Sequence, residues 1–245
     1  FELVFADVEQ LNQAAFQQQY DITKLSYHAF AYASDYYTLM RSGSALGKNC
    51  GPLLISKEVL TDESLNNGSI CIPGKFTTAN LLFSLKYPNA ENKSFIIFSE
   101  IENKVLDDTF DAGVIIHENR FTYEQKGLKK IIDLGEYWEQ TYKVPIPLGG
   151  IAIKRSFDAE IQKSVGRIIK RSIEFAFAHP DSSKSFVAAH SQEMSEDVCR
   201  QHINLYVNKY SVELGFDGEY AVNTLYKIAQ EHKIIPELNK SIFVE

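Results

Sequence analysis

Apolar and polar positions change period several times along this chain, and each change marks an element. From Asp7 to Tyr20 the apolar residues Val8, Leu11, Ala15 and Phe16 recur at three- and four-residue spacing, which predicts a helix with one buried stripe. Ahead of it, Phe1-Glu-Leu-Val-Phe5 reads as a strand already under way, and Leu25 to Tyr32 reads as a second, apolar and aromatic helix. The runs then shorten. Tyr37 to Met40 and Pro52 to Ile55 read as strands flanking the small-residue turn Ser42-Gly-Ser-Ala-Leu-Gly47. Ser69 to Ile72 is another strand; Pro73-Gly74 breaks it before a helix over Thr78 to Leu85. Phe95 to Phe98, a short helix capped by Ser99 and running to Leu106, and a buried strand from Gly113 to Ile116 follow. This β-α-β-α-β run is the pattern of a parallel sheet with right-handed crossovers. Pro145 to Lys154 supplies one more strand after a proline-bounded loop.

Beyond Phe157 the period is helical throughout. Ile161, Val165, Ile168, Ile169 and Ser172 line one face of a helix that ends at His179-Pro180. Ser195, with Glu196 and Asp197, opens a helix whose inward face reads Cys199, Ile203, Tyr206, Val207 and Tyr210. Asp217 opens a last one, with Ala221, Leu225, Ile228 and Ala229 inward. A β/α middle between an α/β beginning and a helical end predicts two lobes. Residues 1–67 and 154–245 form one, and residues 68–153 the other.

Composition narrows the function classes. A chain of 245 residues, 44% hydrophobic and 23% charged, is that of an ordinary globular protein. A formal net charge of −7 argues against a nucleic-acid partner, which would call for a basic face. No stretch approaches the ~18 consecutive apolar residues of a membrane span. Cys50, Cys71 and Cys199 are few, odd in number and far apart, which fits a reducing cytoplasm and excludes a CxxC metal site. No basic and apolar leader is visible, so a cytoplasmic location is expected.

Within that frame one residue carries the most chemistry. His117 follows the apolar strand and opens the polar, aromatic segment His117-Glu-Asn-Arg-Phe-Thr-Tyr123. Strand ends of an α/β sheet are where ligands bind, and an imidazole there is a ready general base. A structural role at a strand–loop junction is the alternative for such a histidine. Other features read as structure. Gly43-Ser-Ala-Leu-Gly-Lys48-Asn49 has three residues where a phosphate-binding loop has four, and Asn where that loop needs Ser or Thr. His179, His190 and His202 lack zinc-ligand spacing and read as solvent-facing helix ends. Lys163, Arg167, Lys170 and Arg171 read as a solvated helix face. Tyr27, Phe30, Tyr32, Tyr36 and Tyr37 read as core. By contrast, Pro73-Gly-Lys-Phe-Thr-Thr-Ala-Asn80 runs strand, turn, helix, and the unpaired N–H groups of such a helix start suit either a cap or a carboxylate.

Six segments together carry a resemblance. They are Asp21-Ile-Thr-Lys-Leu-Ser26, Ser42-Gly-Ser-Ala-Leu-Gly47, Gly51-Pro-Leu, Pro73-Gly-x-x-Thr-Thr-Ala79, Ile115-Ile-His-Glu-x-Arg-Phe-Thr-Tyr123 and Pro145-x-Pro-Leu-Gly149. In this order, and over nearly the whole chain, the sequence resembles the 1,4-dihydroxy-6-naphthoate synthase family of menaquinone biosynthesis. The family's opening strand and Cys-Pro-Asn-Asp-Thr loop lie ahead of the point where this sequence starts. The resemblance implies an α/β, two-lobed fold of the type II periplasmic-binding-protein kind, with substrate between the lobes. It implies a lyase that converts cyclic dehypoxanthine futalosine to 1,4-dihydroxy-6-naphthoate with no metal or redox cofactor, acting on a small-molecule carboxylate. Carried over residue by residue, the family's base falls on His117, and its substrate contacts fall on Lys24, Leu25 and Ser26 in one lobe and on Thr78 and Ala79 in the other. Glu118, on the opposite side of the extended strand, and Arg120 are expected as supports. A non-catalytic solute-binding protein and chorismate dehydratase, the sister enzyme, share the architecture; the His-Glu-x-Arg-Phe-Thr-Tyr string favours the synthase.

Overall fold

Two sheets, each built around one long-range strand, set the architecture. A computed structural model of the chain describes residues 1–190 and 195–245. Asp7 caps α1 (Val8–Phe16), and the Gln10 side chain closes a capping box back onto the Asp7 N–H. β1 (Ile22–Ser26) runs directly into α2 (Tyr27–Ala33), because Ser26 ends the strand and its hydroxyl caps the helix by accepting from Ala29 N. β2 (Tyr37–Leu39), β3 (Ala45–Gly47) and β4 (Leu53–Ser56) come next, then α3 (Asp62–Asn67). β5 (Ile70–Ile72), α4 (Thr78–Lys86), β6 (Lys93–Phe95), α5 (Ile101–Leu106) and β7 (Ala112–Ile115) form the predicted alternating run. After β8 (Lys129–Asp133), α6 (Leu134–Tyr142) and the nine-residue β9 (Ile146–Lys154), the chain is helical: α7 (Ala159–Ala178), α8 (Lys184–His190), α9 (Glu196–Tyr206), α10 (Lys209–Val212) and α11 (Gly215–Glu231).

The first sheet has β9 as its spine, with β1, β2 and β3 all antiparallel to it. The second has the order β6-β5-β7-β4-β8. In it β5 is parallel to β6 and to β7, as the alternating run predicts, while β4 is antiparallel to β7 and β8. This pairing shifts the expected lobe boundaries. β4 lies before residue 68 yet belongs to the second sheet, and β9 lies largely before residue 154 yet belongs to the first. The chain therefore passes between sheets over residues 48–52 and returns over residues 143–145. At the first passage Gly51 packs on Gly135 at the start of α6, and a Cβ on Gly51 would fall 2.3 Å from the Gly135 Cα. Only glycine fits that approach.

Several local expectations differ from the fold. Residues 1–6 form no strand, and Phe1, Leu3, Val4 and Phe5 are exposed. Residues 22–26 are strand where a helix from Leu25 is expected, since pairing with β9 outweighs the local aromatic and alanine pattern. β8 and α6 were not visible as periodic runs because Lys129, Lys130 and Gly135 interrupt their apolar positions. The apolar face of α7 is only partly covered: Val165 is buried, whereas Ile161 and Ile168 are 45% and 49% exposed. Of the aromatic cluster, Tyr27, Phe30 and Tyr37 are core residues, while Tyr32 and Tyr36 are exposed. No helix among the described residues is long and apolar enough to cross a membrane.

Candidate active site

Because β5 and β7 run parallel, their carboxyl ends reach the same edge of the second sheet. From β5 the chain turns at Pro73-Gly74 into α4, whose N-cap is Thr77, accepting from Asn80 N at 3.3 Å. From β7 it passes Ile116 to His117. The first sheet presents Lys24, Leu25 and Ser26 at the end of β1, and Leu148 and Gly149 of β9. Together these enclose a cavity of about 160 Å³ between the sheets, completed by Cys50, His202 and Tyr206. All six residues carried over from the family resemblance, Lys24, Leu25, Ser26, Thr78, Ala79 and His117, line this one cavity.

The hydrogen bonds revise what the hydroxyls do. Ser26 Oγ donates to the Phe76 carbonyl, and Thr78 Oγ1 donates to the Leu148 carbonyl at 2.6 Å. His28 Nδ1–H donates to the Thr77 carbonyl at 3.0 Å, and buried Asn12 on α1 accepts from Ser26 N at 3.1 Å. The first three of these bonds join the two lobes across the cleft, and the fourth ties α1 to the end of β1. The donors left at the start of α4 are the backbone N–H groups of Thr78 and Ala79, since the cap bond goes to Asn80. They stand at the positive end of the helix dipole, which suits a carboxylate.

His117 opens a 3-10 turn over His117–Phe121, with φ of +57°, a left-handed conformation that is uncommon for a side-chain-bearing residue. Such strain recurs at functional sites. The strand ends at Ile115, so alternation does not extend to Glu118. Contrary to expectation, Glu118 lies on the same side as His117: ligand atoms of His117, Glu118 and His202 all fall within 4.8 Å of one another. The His117 ring packs against Phe98 at 5.1 Å between centroids and against His202 at 5.9 Å. Burial, then the nearby His202 and Lys24, push the His117 pKa down to about 3. Burial and Lys24 push that of His202 down to about 4. Lys24 keeps exposed surface, yet the cleft walls crowd its ammonium enough to lower its pKa. Both imidazoles are therefore neutral at pH 7, with lone pairs available.

The turn is braced from beneath. Arg120 pairs with Asp133, which also caps α6, and Arg120 donates to the Gly51 carbonyl at the first passage between sheets. Asn119 and Lys126 both bind the buried Glu102 on α5. Arg120 is thus a support, as expected. Burial pushes the Cys50 thiol up to about 12, so it lines the cavity without being nucleophilic.

His202 is the residue sequence reading missed. His179 and His190 do sit exposed, stacked on Phe175 and Phe186. His202 instead points inward from the middle of α9, which packs on the His117 turn and on β3. The signal was its spacing, three residues after Cys199 and four before Tyr206, both assigned to the inward face.

The architecture defines a two-lobed, periplasmic-binding-protein-like α/β protein with a cleft between its lobes. It superposes with a TM-score of 0.69 on the alkanesulfonate-binding protein SsuA from Xanthomonas axonopodis pv. citri, at 12% identity, over 98% of this chain and 84% of that one. The sequence profile of the family described as Menaquinone biosynthesis matches residues 1–231. The 1,4-dihydroxy-6-naphthoate synthase of Thermus thermophilus is 36% identical over 99% of this chain and 88% of its own length. That of Streptomyces coelicolor is 37% identical over 97% and 85%. Protein AF1704 from Archaeoglobus fulgidus is similar in structure, with a TM-score of 0.90 and 34% identity over 96% of this chain and 87% of that one. The chain belongs to the 1,4-dihydroxy-6-naphthoate synthase family of menaquinone biosynthesis.

Proposed function

We propose that this enzyme is a lyase that opens cyclic dehypoxanthine futalosine to 1,4-dihydroxy-6-naphthoate, with His117 as the base that removes a C–H proton. The observation that carries this reading is the joint position of His117 and the α4 N-terminus in one cavity between the lobes. The substrate's aromatic carboxylate would rest on the Thr78 and Ala79 N–H groups, with the Lys24 ammonium adding positive charge. Its ring system would fill the apolar part of the cavity beside Leu25, Leu148 and Ile116. A neutral imidazole near the remaining face can then take the proton, and the bond to the sugar-derived fragment breaks as the aromatic ring forms. General-base catalysis contributes on the order of 10²–10⁴ in rate, and positioning by the closed lobes supplies much of the rest.

Chorismate dehydratase is the rival within the same architecture. Supplying purified protein with cyclic dehypoxanthine futalosine and, separately, with chorismate distinguishes the two by product mass. Formation of 1,4-dihydroxy-6-naphthoate from the first and no dehydration of the second is expected. Dehydration of chorismate alone would replace this reading, and turnover of neither would favour a binding role.

A further inference from the structure

His117 and His202 reach the same point from different elements, the turn after β7 and the middle of α9, and Glu118 follows His117 in the chain. One imidazole nitrogen from each histidine and one carboxylate oxygen lie mutually within 4.8 Å. Around a tetrahedral zinc ion, bonds of about 2.0–2.1 Å set neighbouring ligand atoms about 3.3 Å apart. The atoms lie at most about 1.5 Å farther apart than that, a difference that side-chain rotation would have to close, and glutamate has the rotatable bonds for it. Nε2 of His202 is buried with no hydrogen-bond partner, which is unusual for a polar atom in a folded protein. A metal ion satisfies such an atom. Two imidazoles and one carboxylate are also a donor set that binds zinc while leaving a further position open.

We propose that His117, Glu118 and His202 bind a divalent transition-metal cation of the zinc type, and that the bound ion occupies the His117 nitrogen and excludes the substrate. The ion is an inhibitor here, competing for the lone pair that proton abstraction needs. Lys24, close to both rings, opposes a dication, and the Glu118 carboxylate offsets it. Binding itself does not depend on the proposed reaction, so it stands or falls separately from the assignment of substrate.

The test uses the full chain, stripped of metal by a chelator, with zinc chloride alone in calorimetry and cobalt(II) chloride alone in visible spectroscopy. One equivalent of zinc should bind, and cobalt should show the intense bands of a four- or five-coordinate ion. His202→Ala and Glu118→Gln should each weaken zinc binding at least about tenfold, the scale on which even outer-shell losses act. His179→Ala, at the exposed end of α7, should leave it unchanged. Thermal unfolding of each variant checks that the fold persists, and Glu118→Gln stands in if His202→Ala fails to fold. Absence of zinc uptake by the wild type overturns the proposal. So does wild-type affinity in both folded variants, which would put the ion elsewhere on the surface.

Discussion

The chemistry of single residues in this cleft follows from how it treats charge. His117 is held neutral by burial, by the facing His202 and by Lys24, with a pKa of about 3 in the free protein. An unperturbed histidine base would lose activity around its reference value of about 6.5, whereas this one should not. The pH profile of kcat/KM, which reports the free enzyme, should stay level from about pH 8 down to about pH 5. An acid limb with its midpoint near 6.5 would contradict the described environment. The anionic substrate should raise the same pKa once bound, so the acid limb of kcat should lie above that of kcat/KM. His117 was legible in the sequence because an apolar β-run ended on it. His202 was legible only as an inward position, through its spacing from Cys199 and Tyr206; its meeting with His117 was not, because α9 packs on β3 and the His117 turn, which are remote in the chain.

At the scale of elements, the strongest local device is the brace under the His117 turn. Arg120 and Asp133 are only 15% and 6% exposed, and Asp133 also caps α6 through Gly135 N and Glu136 N. Arg120→Leu leaves that carboxylate buried without its partner, which should lower stability by about 3–5 kcal/mol. Chemical denaturation measures it; a loss under about 1 kcal/mol would mean that solvent already screens the pair. The parallel β5-β6-β7 run and the helix at Thr78 could be read directly from alternating periods and the Pro73-Gly74 break. β1 and the second-sheet membership of β4 could not, since both are decided by pairing with strands more than 50 residues away. The cap at Thr77 was legible, but the role of the Thr78 hydroxyl was not, because its acceptor is Leu148.

For the molecule as a whole, the bonds across the cleft describe a closed arrangement. Its cavity of about 160 Å³ is smaller than the ~300–1,000 Å³ typical of ligand pockets, so entry requires the lobes to part at the two chain passages. Hinged entry means that the free protein populates a parted form in solution, so small-angle scattering should give it a larger radius of gyration than this closed arrangement, falling when 1,4-dihydroxy-6-naphthoate is added; a free protein whose profile already matches the closed arrangement would contradict it. The closed fold should also be acid-sensitive. His28 is 4% exposed and burial holds its pKa down to about 4, so the unfolded chain binds its proton first as pH falls below about 6.5. Stability is therefore full above that value and declines towards pH 4, by on the order of 3 kcal/mol for this residue. His117 and His202, with pKa values held down to about 3 and about 4, contribute in the same window, so His28→Gln should make the decline shallower without abolishing it; an unchanged slope would assign it elsewhere. The central claim, that His117 takes the proton, is tested most directly by single-turnover kinetics of His117→Asn beside wild type, with product followed by mass and substrate affinity measured on the same samples. The expected result is retained fold and affinity with turnover reduced about 10²-fold or more, since asparagine cannot accept the proton. Turnover within about threefold of wild type would contradict it.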